Sequence, residues 1–92
     1  MNIGSRTALG PGTKILTANH DLSDPLQRAG AVIHQGVTIG KGCWIGANVT
    51  ILPGVTIADG SVIGAGAVIT KDTPPHSLSA GVPAVKIKDL PR

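Results

Sequence analysis

Large aliphatic residues return every six positions along this chain: Ile3, Leu9 and Ile15, then Ile33, Ile39, Ile45, Ile51, Ile57, Ile63 and Ile69. A second series follows four residues behind it: Thr7, Thr13, Asn19, Val37, Cys43, Val49, Val55, Ser61, Ala67 and Thr73, nearly all small or β-branched. Glycine often comes directly after the aliphatic residue, as at Gly4, Gly10, Gly40, Gly46 and Gly64. A helix repeats near 3.6 residues and a half-buried strand near 2, so a period of six fits neither. It fits a chain that runs straight briefly, turns, and points one large apolar side chain inward from each side. Three such sides close a triangular coil, and stacked coils pair backbone to backbone at about 4.8 Å. This is a parallel β-helix, whose sequence signature is the hexapeptide period.

Composition agrees. Ile, Val and Thr make up 26 of 92 residues, a β-branched load that favours strand. Trp44 is the single aromatic, which suits an interior filled by stacked isoleucines and too narrow for phenylalanine. Leu, Ile and Val together reach 25 residues with a net charge of +3, which argues against disorder. No stretch approaches the roughly 20 apolar residues of a membrane helix, and the N-terminus lacks the layout of a secretory signal. Cys43 is alone, so no internal disulfide forms and a reducing cytoplasm is the expected setting. A modest basic excess without interleaved aromatics gives no footprint for nucleic acid.

The register breaks once. Continuing the period past Ile15 would turn Asp21 and Gln27 inward, where neither belongs without a partner. Residues 21–31 are therefore expected as a loop thrown out of the coil. Residues 1–20 form the first coil, residues 32–73 the following coils, and residues 74–92 a C-terminal tail, with Pro74-Pro75 ending strand pairing. About three and a half coils give a thin core, and the first begins with an uncovered strand edge. An oligomer is expected, most simply a trimer of parallel prisms, with a second trimer able to cover the N-terminal end.

His20 stands where the backbone leaves the coil, a rigid wall on one side and a loop on the other. Imidazole titrates near neutrality and suits general-base work, although a solvated loop histidine fits the same position. Asp21 or Asp24 could orient it; loop aspartates also serve as turn formers. His34 reads as a surface or interface residue, His76 as a turn residue, and Cys43 as buried and inert. The histidine spacings do not suit a metal site, and none is expected. Trp44 follows an inward residue and so faces outward, where an indole makes a good wall for a thin ligand. Lys71, Lys86, Lys88 and Arg92 place half of the eight basic residues in the last 22.

Four segments resemble the hexapeptide-repeat acyltransferases, and most nearly the sugar O-acetyltransferases of the galactoside and maltose type. They are Thr17-Ala18-Asn19-His20-Asp21, the run from Val37 to Ala47, the run from Ile51 to Asp72, and Ala80-Gly81-Val82-Pro83-Ala84. The resemblance covers nearly the whole chain but only the carboxyl half of such an enzyme. It implies an all-β, left-handed parallel β-helix in which acetyl passes from acetyl-CoA to a hydroxyl of a saccharide-like acceptor, between neighbouring prisms of a homotrimer. By position, His20 matches the family's general base. Trp44, Ala47, Ala65, Thr70, Lys71 and Lys88 match residues that hold CoA. Val85 falls where relatives carry a basic residue, with Lys86 as a neighbouring substitute. The upstream asparagine that helps hold the oxyanion has no counterpart. The alternative expectation is a trimeric β-helix without turnover that retains at most CoA binding.

Overall fold

The computed structural model describes Met1–Arg92, and every regular element in it is a strand. The first rung carries β1 (Asn2–Ile3), β2 (Ala8–Leu9) and β3 (Lys14–Ile15). The chain then leaves the coil as an antiparallel hairpin, β4 (Ala18–His20) and β5 (Val32–His34). The second rung holds β6 (Thr38–Ile39), β7 (Trp44–Ile45) and β8 (Thr50–Ile51), and the third β9 (Thr56–Ile57), β10 (Val62–Ile63) and β11 (Val68–Ile69). Last come β12 (Ser77–Gly81) and β13 (Ala84–Asp89). Strands of successive rungs pair in parallel, giving three faces. The first stacks β1, β6 and β9; the second stacks β2, β7, β10 and β12 with β13 at its end; the third stacks β3, β8 and β11. The architecture is a left-handed parallel β-helix.

The hexapeptide explains itself locally. Each side has two extended residues, the second pointing inward, and then a turn. The ladder between rungs is regular: Trp44 N–H donates to the Ser61 carbonyl and Gly46 N–H to the Ile63 carbonyl, both at 2.9 Å. Rungs approach so closely at the turns that a Cβ on Gly46 would lie 2.7 Å from the Ala65 nitrogen, which accounts for glycine directly after the aliphatic residue.

The core is the predicted column. Ile39, Ile45, Ile51, Ile57, Ile63 and Ile69 are each at most 1% exposed, with Val37, Cys43, Val49, Val55 and Ala67 filling the corners between them. Register stacks Ile3 under Ile39 and Ile57, Leu9 under Ile45 and Ile63, and Ile15 under Ile51 and Ile69. The first rung closes only one side of this column, so Ile3 and Leu9 remain 42% exposed. At the other end the column finishes in hydroxyls. Ser61 Oγ donates to the Ala58 carbonyl at 2.6 Å and lies 3.2 Å from Thr73 Oγ1, while Ser77 Oγ donates to the Pro74 carbonyl at 2.7 Å.

Two boundary expectations are corrected. Ile33 and Asn19 keep the six-residue spacing yet sit in the hairpin, both exposed; β4 and β5 pair with each other rather than with a rung, and the coil resumes at Val37, not at residue 32. Pro74-Pro75 does not end pairing either. The prolines shorten one side, so β12 pairs in parallel with β10 at an offset of sixteen residues (Val62 to Leu78) where complete rungs are offset by eighteen (Trp44 to Val62). Proline's missing donor is tolerated there because Ser77 and its successors restore the ladder: Gly64 N–H donates to the Ser79 carbonyl. The tail is thus largely a β-hairpin, β12 with β13, joined by a turn containing a cis Val82–Pro83 bond.

Candidate functional site

The turns stack into three long edges, and the residues singled out in the sequence sort onto two of them. At the turns joining the second face to the third, a groove of about 480 Å³ is lined by Pro11, Trp44, Ala47, Val62, Ala65 and Leu78 among others. Its wall is an outward row on the second face. Ala8, Trp44, Val62 and Leu78 are register partners, and Lys88 pairs with Leu78 on β13. Trp44 is 62% exposed. Three strand spacings separate it from Lys88, about 14 Å at roughly 4.8 Å each. A trough lined by small alanines and an indole, with an ammonium further along the same row, suits a thin, uncharged chain ending in negative charge.

Lys86 does not share that row. A bulge between Leu78 and Ser79 sets it opposite the buried Ser79, and its Nζ lies 2.6 Å from Asp89 Oδ1. It is thus held apart from the row that ends in Lys88.

Thr70 and Lys71 occupy the turn after β11, on the edge between the third face and the first, and both are exposed. The β4–β5 hairpin leaves the coil from this same edge. Its base is stitched there: Gln35 N–H donates to the Thr17 carbonyl at 2.8 Å, and Gly54 N–H to the Gln35 carbonyl at 3.2 Å.

His20 ends β4, exposed, opposite Val32. Its backbone N–H donates to Asn19 Oδ1 at 3.1 Å, and its ring Nδ1 lies 2.9 Å from the Gly30 carbonyl oxygen. A carbonyl only accepts, so Nδ1 carries the proton and Nε2 keeps the lone pair. The Gly30 carbonyl is itself placed by backbone bonds, with Gly30 N–H donating to the Asp21 carbonyl at 3.0 Å and Asp21 N–H to the Ala31 carbonyl at 2.8 Å. Of the two readings open for Asp21 and Asp24, orienting the imidazole or forming turns, the structure shows the second. Asp21 Oδ1 accepts from Ser23 N–H and Asp24 Oδ1 from Leu26 N–H, each at 2.9 Å. Both are turn formers. The bonds from Ser23 hold the Asp21 carboxyl below its ordinary pKa.

The structure therefore brings Trp44, Ala47 and Ala65 together, with Lys88 on the same row, and sets His20, Thr70 and Lys71 on another edge. The third face lies between the two groups. Sequence reading missed the Gly30 carbonyl, because a backbone acceptor leaves no residue-type signal. It also missed Val62 and Leu78, although counting from Trp44 by rung finds the first of them. Cys43 is buried, its Sγ 3.3 Å from the Ala58 carbonyl. No group of three or more His, Cys, Asp or Glu side chains converges.

Comparison with known proteins agrees with this fold. Residues 36–71 match the family model described as bacterial transferase hexapeptide (six repeats). No curated protein sequence matches. Among solved structures, the chain is similar to a hexapeptide-repeat-containing acetyltransferase from Vibrio cholerae O1 biovar eltor complexed with acetyl coenzyme A, at 38% identity and TM-score 0.89, covering 98% of this chain and 49% of that one. It is similar to a galactoside acetyltransferase in complex with coenzyme A, at 40% identity and TM-score 0.88, covering 97% and 44%. It is also similar to a maltose O-acetyltransferase from Clostridium difficile 630, at 30% identity and TM-score 0.75, covering 99% and 67%. The chain spans about half the length of the first two of these proteins. With its hexapeptide column, its extruded histidine hairpin and these likenesses over nearly its whole length, the chain belongs to the hexapeptide-repeat acyltransferase family.

Proposed function

We propose that this chain serves acetyl-CoA-dependent O-acetylation, in a cytoplasmic homotrimer, with a saccharide as acceptor. The observation that carries the reading is the His20 ring, fixed through Nδ1 so that Nε2 is the basic nitrogen. Support for the cosubstrate comes from the apolar Trp44 groove, from Lys88 on the same outward row beside Leu78, and from the acetyl-CoA and CoA found in similar structures. Saccharide is the acceptor class of the similar galactoside and maltose enzymes.

The placement of the two edges supports the trimer. If the third faces turn toward a threefold axis, the Trp44 edge of one prism meets the His20 edge of the next. Each of three grooves then receives Trp44, Ala47, Ala65 and Lys88 from one chain and His20, Thr70 and Lys71 from its neighbour. A head-to-tail contact of this kind closes as a ring. The open first rung is the end that further coils or a second trimer would cover.

In the reaction, Nε2 of His20 takes the proton of an acceptor hydroxyl as its oxygen attacks the thioester carbonyl carbon. The tetrahedral adduct collapses with cleavage of the carbon–sulfur bond. The leaving sulfur takes the proton from the imidazolium, and His20 is restored. The Gly30 carbonyl stabilises the imidazolium between these two transfers, because Nδ1–H is then a charge-assisted donor.

The test measures thiol release from acetyl-CoA across a panel of mono- and disaccharides, with CoA affinity and sedimentation followed in parallel. Acceptor-dependent release is expected, falling about 10²- to 10⁴-fold in His20→Ala with CoA binding retained. A second reading, a CoA-binding β-helix without turnover, draws on the chain spanning about half of two of its relatives. Wild-type protein that binds CoA but releases no thiol with any acceptor would select it. A stable monomer of 9.2 kDa that still turns over would overturn the shared groove.

A further inference from the structure

The third edge of the prism, where the first face turns into the second, takes no part in acetyl transfer as proposed above, and it carries a groove of its own. We infer that it holds a second binding site, for the phosphate group of a phosphorylated small molecule.

The turns on this edge stack a column of left-handed residues: Arg6 (φ 57°), Gly42 (φ 65°), Gly60 (φ 69°) and His76 (φ 48°). Glycine adopts that conformation freely, whereas arginine and histidine do so at a cost. The same conformation recurs on the Trp44 edge at Gly12, Asn48 and Gly66, so it belongs to the turn itself; what is particular here is the side chains that the turns carry. Between them the floor is open at Gly42 only. A Cβ on Gly42 would meet nothing within 4 Å, and over Gly60 lies the His76 imidazole. The result is an open groove of about 740 Å³ bordered by Arg6, Lys41, Asp59, His76 and Arg92, with a single hydrophobic residue among those that line it. An open groove leaves the rest of a phosphorylated molecule free to extend along the edge.

Charge decides the ligand class. Three of the chain's eight basic residues gather here from positions far apart in sequence, against one carboxylate. Asp59 is already engaged, its Oδ1 accepting the Lys41 backbone N–H at 2.8 Å. The chain's one ion pair lies elsewhere, between Lys86 and Asp89, so the guanidinium and ammonium groups at this edge have no carboxylate partner. The last residues are tied in, because Leu90 N–H donates to the His76 carbonyl at 2.8 Å and brings Arg92 alongside. Guanidinium and ammonium groups bordering the groove around Gly42 suit the multidentate recognition that phosphate oxygens accept.

The test is an NMR titration of the intact protein with inorganic pyrophosphate at constant ionic strength, and separately with CoA. Pyrophosphate is expected to shift the amides of Arg6, Gly42, Gly60 and His76. Two variants report the site. Arg6→Gly keeps the left-handed turn without strain and removes the guanidinium; it is expected to weaken pyrophosphate binding by about tenfold or more while leaving the melting temperature unchanged or raised. Lys41→Gln is expected to weaken binding at unchanged stability. CoA is expected to shift the Trp44 indole and leave Gly42 and Gly60 still. The inference is overturned by pyrophosphate shifts spread over all lysines and arginines, by unchanged affinity in both variants, or by CoA moving Gly42 and Gly60 together with Trp44, which would make this edge part of the acetyl-CoA site. A phosphorylated sugar that competes with pyrophosphate at Gly42 and Gly60 identifies a small-molecule source for the phosphate.

Discussion

Replacing Gly30 by alanine tests whether a backbone carbonyl positions the base. The new Cβ would lie 2.7 Å from the Asp21 carbonyl oxygen, where ordinary contact begins at 3.4 Å, so the hairpin must give by 0.7 Å (3.4 minus 2.7). Gly30 N–H also donates to that oxygen, so the shift is passed to the Gly30 carbonyl and hence to the bond on His20 Nδ1. A misplacement near 1 Å costs about 10²-fold in rate, and kcat is therefore expected to fall about 10- to 100-fold. Removing the imidazole altogether costs more, about 10²- to 10⁴-fold. The hairpin is exposed and outside the isoleucine column, so the melting temperature should move by no more than about 2 °C, the shift expected from a few tenths of a kcal/mol in a domain of this size. Steady-state kinetics with acetyl-CoA and a competent acceptor, beside a thermal melt, read both quantities. Nitrogen-15 NMR of the ring supplies a readout independent of turnover: wild type should show the tautomer with the proton on Nδ1, and Gly30→Ala a mixture. A variant with unchanged kcat and an unchanged tautomer would refute the claim that this carbonyl sets the base.

Other outcomes follow from the coil itself. Gly46→Ala puts a Cβ 2.7 Å from the Ala65 nitrogen, held by the rung spacing, so a loss of about 1–3 kcal/mol is expected in chemical denaturation. Gly42→Ala meets no neighbour and costs only the left-handed backbone, about 1 kcal/mol; Gly42→Asn should recover part of it, since Asn48 already holds φ 56°. Equal losses at Gly42 and Gly46 would count against the close-approach account. Ile51→Ala empties the middle of a fully buried column between Ile15 and Ile69 and should cost about 2–5 kcal/mol, read as loss of the cooperative melt at physiological temperature. The Asp21 carboxyl is held low by Ser23. Its folded pKa is depressed, so its contribution is present above the ordinary carboxyl value of about 3.9 and is lost as pH falls through the lower folded value. Carbon-13 NMR should place the Asp21 midpoint below that value, with the Ser23 amide shift following the same curve; a midpoint at or above it would remove the Ser23 turn from the hairpin's description.

Much of this molecule is legible in its sequence. Six-residue spacing is a local property, since each inward isoleucine is chosen by its own turn of coil, and the column from Ile39 to Ile69 follows from counting. Where spacing misled, the physical cause was pairing. Ile33 keeps the period, but β5 finds its partner in β4, and a strand paired within a hairpin has no rung on which to bury its side chain. Pro74-Pro75 looked like an end because a proline cannot donate; the structure spends both on a shortened side and resumes the ladder at Ser77.

The residue pattern by itself determined the three-sided coil, the buried column, the outward Trp44 and the histidine at the coil's exit, because each depends on a residue's position within its own repeat. Tertiary structure alone decided how these come together. Which edge each turn joins depends on the count of sides around the prism, and that count set His20 and Lys71 on one edge and Trp44 and Ala65 on another. It likewise decided that His20 takes its orientation from the Gly30 carbonyl, and that Arg6, Lys41 and Arg92 share a groove. Those contacts are made by backbone or by residues distant in sequence, and only closing and stacking the coil brings them within reach.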